Sequence, residues 1–159
     1  MNLYFLRHTT PFDGAPDAER RLTPGGHEDA ARLGRFLTEA GVKLEAAYSS
    51  PLIRAVETAE DVVRVTNPDG PIPITKTDAL LNETSQEDFQ GFLKTLPPLE
   101  HILLVGHAPA LGRRVGALLG LENPGQFELS KGGLACVVTN DRLSGALKFL
   151  VSPKVLGKS

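Results

Sequence analysis

Apolar residues fall into two patterns along this chain: short unbroken runs, and longer stretches in which they recur three and four positions apart. Leu3-Tyr4-Phe5-Leu6 is the first run. It reads as a buried strand over residues 2–7 and breaks at Arg7-His8-Thr9-Thr10 into a polar, turn-rich stretch up to Leu22. Long loops of this kind often carry function. Thr23-Pro24 then offers an N-cap and a proline at the first helical position. Ala30, Leu33, Phe36, Leu37 and Ala40 keep helical spacing until Gly41. A second strand is predicted over residues 45–48. Ser50-Pro51 repeats the cap-plus-proline signal, and Leu52, Ala55, Val56, Ala59, Val62 and Val63 follow as a helix that stops before the turn cluster at Asn67 to Pro71.

Ile72 to Thr75 reads as a short edge strand, because Pro71 and Pro73 are tolerated only at an edge. Thr84 with Glu87 forms a capping-box signature for a helix through Phe89, Phe92, Leu93 and Leu96, ended by Pro97-Pro98. Residues 101–105 are the most strand-like run in the chain, and a helix follows from Pro109 to Leu119. Leu134 to Thr139 and Ala146 to Val151 close the pattern as two strands joined by a turn at Asn140-Asp141-Arg142. Strands alternating with helices predict a single-domain three-layer α/β/α sandwich with a mostly parallel sheet. No repeat or linker interrupts it, so one domain is expected over residues 1–152, with 153–159 as a loose tail.

Composition narrows the setting. The chain has 159 residues and a formal net charge of −2, so it has no general attraction for nucleic acid or an acidic membrane. Any cationic site must be local. Cys136 is the one cysteine, which excludes an internal disulfide and fits a reducing compartment. No basic leader with an apolar segment stands at the N-terminus, and no run approaches the roughly 20 apolar residues of a membrane span. A cytoplasmic location is the expectation. Nothing in the sequence sets an oligomeric state.

The chemistry gathers at three strand ends: Arg7-His8, Ser49-Ser50-Pro51-Leu52-Ile53-Arg54, and Gly106-His107-Ala108-Pro109. Carboxyl ends of strands in an open α/β sheet are where ligands bind. Arg7 and Arg54 can fork onto phosphate oxygens. Arg54 also falls in the first turn of its helix, where a cation is unfavourable for the helix itself but an anion is welcome. One histidine can attack phosphorus as a nucleophile, and a second, if cationic, can stabilise the transition-state charge. Taken singly, each has a plain structural reading, as an exposed arginine or a core histidine bonded to backbone. Taken together, Arg7, His8, Arg54 and His107 predict a phosphoryl site.

These segments resemble a known family. Leu6-Arg7-His8-Thr9, Ser49 through Ala59, and Val105-Gly106-His107-Ala108-Pro109 look like the three signatures of the histidine phosphatase, or phosphoglycerate mutase-like, superfamily, in the expected order. The resemblance implies a phosphoglycerate mutase-like fold, transient phosphorylation of His8, a phosphate pocket of Arg7, Arg54 and His107, and no metal or organic cofactor. Within the superfamily the chain is most similar to SixA-type phosphohistidine phosphatases, through Asp17 to Gly26 and Val151-Ser152-Pro153. That subgroup's loop Asp and Arg match Asp17 and Arg20, placing Arg20 beside the phosphate. Thr9 stands where the superfamily usually has glycine, so a positive φ there would be strained.

A general acid for an ester leaving group wants a carboxyl with a raised pKa. The candidates are Asp17 and Glu83, the latter in Leu81-Asn82-Glu83, which resembles the superfamily's acid segment; Glu83 reads equally well as a polar residue ahead of a helix cap. The spacing of His8, His107, Asp17 and Glu83 matches no metal motif. His27-Glu28-Asp29 reads as a solvated helix face, and Cys136 as a small buried hydrophobe. The expected function is a phosphatase working through phosphohistidine, acting on a phosphohistidine-bearing signalling or phosphotransfer protein. A small phosphate ester is the alternative substrate, and a non-catalytic phosphate-binding domain is the alternative of another class.

Overall fold

Strand β1 (Asn2–Arg7) lies inside a six-stranded sheet and is buried from Leu3 to Leu6. The computed structural model describes residues 1–157. β4 (His101–Gly106) pairs with β1 in parallel, β2 (Ala46–Ser49) with β4, and β3 (Ile74–Lys76) with β2. On the other side of β1, β5 (Leu134–Thr139) and β6 (Gly145–Val151) are antiparallel. The order is β3-β2-β4-β1-β5-β6, so the parallel part is the four strands that alternate with helices, and the predicted edge strand is at an edge.

Alternate side chains of the central strands face opposite layers. Tyr4, Leu6, Leu103 and Val105 pack under α1 (Pro24–Glu39) and α2 (Ile53–Thr66). Leu3, Phe5, Ile102 and Leu104 pack under α3 (Gln86–Thr95) and α4 (Ala110–Leu118). This is the expected three-layer arrangement. The chain steps outward from β1 to β3 with α1 and α2 on one face. It returns through β4 to β5 with α3 and α4 on the other. β1 and β4 are neighbours whose following helices lie on opposite faces, and a crevice opens between their carboxyl ends.

Register decides what stands at that crevice. Arg7 is opposite Gly106, and Ser49 is opposite Val105. The next residues on the three adjacent strands are therefore His8, Ser50 and His107. The His8 N–H donates to Gly106 O at 3.1 Å and the Ser50 N–H to Val105 O at 3.1 Å, so the ladder continues to the site.

Several local expectations shift. Thr23 caps α1 as predicted, accepting from Gly26 N at 3.0 Å, a bond of the kind worth about 1 kcal/mol. Helix α2 starts at Ile53 rather than at Pro51, with Leu52 at the cap position and no side-chain cap. Ser50 is engaged elsewhere. Ser85, not Thr84, caps α3 by accepting from Asp88 N at 3.1 Å, while Thr84 Oγ1 donates to Asp78 O. His27 is not merely a solvated residue: its Nδ1 lies 2.5 Å from Asp61 on α2 and ties the two helices together. Glu28 and Asp29 do pair at the surface, with Arg35 and Arg32. Cys136 is buried, and burial pushes its thiol up to about 11, in line with a small hydrophobe.

The tail is not loose where it is described. Pro153–Leu156 forms a 3-10 turn, Pro153 is buried, and Leu156 packs against the α1/α2 core. Lys158 and Ser159 lie outside the described residues. Gly132, with φ +74°, accounts for the tight approach: a Cβ there would lie 2.7 Å from Pro153 Cγ and 3.4 Å from Thr9 Cγ2.

Candidate active site

His8 is buried just past the end of β1. Its Nδ1 lies 2.7 Å from Thr9 O, a partner that can only accept, so Nδ1 carries the proton and donates. Nε2 is left with its lone pair. Burial is the main cause that lowers the His8 pKa to about 4; the Thr9 bond opposes it, and the charges of Arg54, Arg7 and Lys131 add to it. The ring is therefore neutral at pH 7, as a nucleophile requires.

His107 stands next to it, with ring centroids 5.1 Å apart. His107 Nε2 is 2.6 Å from Ser50 Oγ. Ser50 Oγ also accepts from Leu52 N at 3.4 Å and keeps a hydroxyl proton that it can donate to Nε2. In the tautomer in which it does so, the His107 proton is on Nδ1. Burial, then the neighbouring His8 and the arginines, lower the His107 pKa to about 3. The expectation of a cationic second histidine thus changes for the free protein, in which His107 is neutral at pH 7.

Arg7 and Arg54 complete the cluster. Arg7 is anchored by Nη1 to Leu129 O at 2.9 Å. Arg54 is buried on the first turn of α2, as predicted, with Nη1 donating to Asp17 O at 2.9 Å and Nη2 to Asp17 Oδ2 at 3.3 Å. Among the described residues, five buried side-chain polar atoms have no partner, and three of them are here: Arg7 Nε, Arg54 Nε and His107 Nδ1. Buried donors are normally satisfied. These three unpartnered nitrogens and the unpartnered Nε2 of His8 belong to one buried cluster with the chemistry to receive an anion.

Asp17 and Arg20 lie at the outer side of this cluster, on the 3-10 turn Asp17–Glu19 and just after it. Arg20 Nε donates to Asp17 Oδ1 at 3.0 Å. The Arg20 hydrogen bond first, and then the Arg54 charge, hold the exposed Asp17 carboxyl below the usual carboxylate range. That direction is opposite to what a proton donor needs. Glu83 is exposed in the turn before α3. Its neighbour Asn82 bonds Ala108 O at 2.8 Å and Ala110 N at 3.2 Å, which fastens this turn to the His107 loop. No group of three or more His, Cys, Asp or Glu among the described residues could hold a metal ion.

Thr9 takes no positive φ; among the described residues the positive φ values outside glycine are confined to Arg142. The expected strain is absent. Instead Thr9 N donates to Thr58 Oγ1 at 3.2 Å, and Thr58 Oγ1 donates to Arg54 O at 2.7 Å, linking the His8 loop to the first turn of α2. Sequence reasoning missed Ser50, Thr58 and Lys131. Ser50 and Thr58 do sit inside the second signature, but in sequence they read as a helix cap and a helix-interior threonine.

Residues 3–101 match the model of the histidine phosphatase superfamily (branch 1). The phosphohistidine phosphatase SixA of Escherichia coli (strain K12) is 26% identical over 159 residues, covering 96% of this chain and 94% of that protein. A solved structure of the protein histidine phosphatase SixA complexed with tungstate matches with a TM-score of 0.88 at 25% identity, over 99% of this chain and 100% of that one. The alpha-ribazole phosphatase of Shigella flexneri matches with a TM-score of 0.76 at 20% identity, over 96% and 97%, a likeness of fold alone.

Proposed function

We propose a phosphohistidine phosphatase activity for this chain, which belongs to the histidine phosphatase superfamily, with His8 as the residue that carries the phosphoryl group. One observation carries the reading: a neutral His8 keeps Nε2 without a partner in a cluster where Arg7 Nε, Arg54 Nε and His107 Nδ1 are buried and also without partners. In the first step the Nε2 lone pair attacks phosphorus and a P–N bond forms. The bond from phosphorus to the substrate imidazole breaks, and that ring, already protonated on its other nitrogen, takes the electron pair and leaves as neutral imidazole. In the second step water attacks the phosphoryl group on His8, and both of its protons stay with the phosphate. The P–N bond breaks, its electron pair returns to Nε2, and inorganic phosphate departs.

Arg7, Arg54 and the Nδ1–H of His107 bear on the phosphoryl oxygens in both steps. Phosphoryl transfer asks for positioning and charge stabilisation, which is what such groups supply. Arg20 steadies Asp17, and Asp17 holds Arg54 by backbone and carboxylate. Asp17 is held below the usual carboxylate range, which leaves Glu83 as the carboxyl candidate for protonating an ester oxygen. Protonated imidazole leaves without that help.

The likeness to SixA over nearly the full length of both chains supports this substrate class. The tungstate in the solved SixA complex is a tetrahedral oxyanion of the kind this donor cluster suits. A signalling or phosphotransfer protein in the cytoplasm is the natural bearer of such a group, and no helix among the described residues is long and apolar enough to cross a membrane. Hydrolysis of a small phosphate ester is the second reading, favoured by the bonds that fasten Asn82, next to the carboxyl of Glu83, to the His107 loop. A binding domain without turnover is the rival of another class, and the free lone pair of His8 argues against it.

The test is phosphate release from a phosphotransfer protein phosphorylated on histidine, with wild type and His8→Ala side by side. Release by wild type alone is expected. No release, with small esters still hydrolysed, moves the substrate to the second reading. Binding of the phosphoprotein with no turnover of either substrate replaces the enzyme with a binding domain.

A further inference from the structure

Two clefts flank the phosphoryl site, and both are lined by Arg7. The first, of about 480 Å³, is basic: Arg7, Arg32, Lys131 and Lys154 face a single acid, Asp29. Asp29 is already paired with Arg32 at 3.0 Å. In a chain of net charge −2, this is a strong local concentration of cations. Lys131 is close enough for its charge to bear on His8.

The second cleft, of about 500 Å³, runs from Arg7 past Leu129 to Leu150, Val151 and Val155, with Glu128 as its acid. Leu150 is 48% exposed and Val155 74%, too much for either to belong to the core. The sheet register explains the exposure. Leu150 is opposite Ala135 and Leu147 opposite Val137, and both partners on β5 belong to the core under α3 and α4. β6 therefore continues that apolar face beyond the helices that cover it. Ser130 and Ser152 line both clefts, so the basic and apolar parts form one surface.

A small ester held by His8, His107 and Arg54 needs neither cleft. An apolar shelf joined to a cationic rim is the usual composition of a protein-binding surface, with the charges giving orientation and on-rate. We propose that this surface docks the phosphohistidine-bearing protein: acidic residues of the partner lie against Lys131, Lys154 and Arg32, an apolar patch of the partner covers Leu150 and Val155, and its phosphohistidine enters beside Arg7. The proposal rests on the phosphohistidine reading above.

The test uses Lys154→Glu and Leu150→Asp, two exposed positions outside the catalytic cluster. Each is assayed on a histidine-phosphorylated phosphotransfer protein with an acidic surface, and on p-nitrophenyl phosphate. KM for the protein is expected to rise about tenfold in each variant with kcat unchanged, while the small ester is turned over as by wild type. Added salt should raise the wild-type KM for the protein and raise that of Lys154→Glu less, because exposed charges are screened. Unchanged KM for a protein that wild type does dephosphorylate overturns the docking surface and leaves the phosphohistidine reading intact. If wild type does not dephosphorylate the protein, the phosphohistidine reading fails. Docking is then decided by binding of the same phosphoprotein to His8→Ala: salt-sensitive binding lost on adding Lys154→Glu supports the surface, and absence of binding overturns it.

Discussion

Ser50 Oγ and His107 Nε2 lie 2.6 Å apart, a bond across adjacent strands that occupies one nitrogen of the second histidine and leaves Nδ1 without a partner. Ser50 is thus a positioning residue, one step behind the phosphoryl group. Ser50→Ala removes the hydroxyl and leaves a buried ring nitrogen without a partner, a loss of about 1–3 kcal/mol. The expected result is a fall in kcat of about tenfold or more, with KM for p-nitrophenyl phosphate little changed. Steady-state kinetics checks it; an equal loss in KM alone would remove Ser50 from this role.

The two site histidines titrate low, at about 4 for His8 and about 3 for His107, mainly because burial penalises the cation. In the free protein their ring resonances should stay put from pH 8 down to 5 and move only below that, as followed by NMR of ring-labelled histidine.

The same shifts set the sign of the pH dependence of stability. The unfolded chain takes up these protons near pH 6.5 and the folded chain only near pH 4 or below. Stability from burying the neutral rings is present above about pH 6.5 and is lost as pH falls toward the folded values. His8→Ala should flatten part of the decline in melting temperature between pH 6.5 and 4, as measured by thermal unfolding.

Arg54 gives one N–H from each of Nη1 and Nη2 to Asp17, and its buried Nε has no partner. A lysine at this position keeps the charge but not the planar fork. Arg54→Lys should lower kcat/KM by ten- to a hundredfold, and should weaken inhibition by inorganic phosphate, while the far-ultraviolet circular dichroism is unchanged.

Thr58 joins the His8 loop to α2 through Thr9 N and Arg54 O. Thr58→Val keeps the volume and removes both bonds, leaving the buried Thr9 N–H unpaired. A destabilisation of about 1–3 kcal/mol is expected from urea unfolding, accompanied by lower activity because the loop that accepts from His8 is loosened.

Much of this was legible in the chain. Buried runs that stop at Arg7-His8, Ser49-Ser50 and Gly106-His107 announce strand ends, and in a parallel sheet strand ends converge. What the pattern could not separate was two uses of one signal. Ser50-Pro51 reads as a helix cap, yet Ser50 serves His107 and α2 starts later, at Ile53. Thr84 and Ser85 are equally good caps, and only the Asp78 carbonyl decides between them. The tail looked loose because its anchor is Gly132, far back in sequence, whose missing side chain makes room for Pro153. The surface beside Arg7 was hidden for the same reason, being assembled from α1, the Ser130-Lys131 turn and the last described residues.

The continuation of the ladder past β1, where His8 N–H donates to Gly106 O, also divides the site by how readily it opens. Amides bonded within a central sheet exchange with solvent only when the whole domain unfolds, whereas loops open locally. His8 and Ser50 should therefore rank with the slowest-exchanging amides of the protein, and the segment around Asp17 and Arg20 with the fastest. The half of the site that does the chemistry is as durable as the fold, and the half that holds Arg54 from outside is free to yield to an arriving substrate.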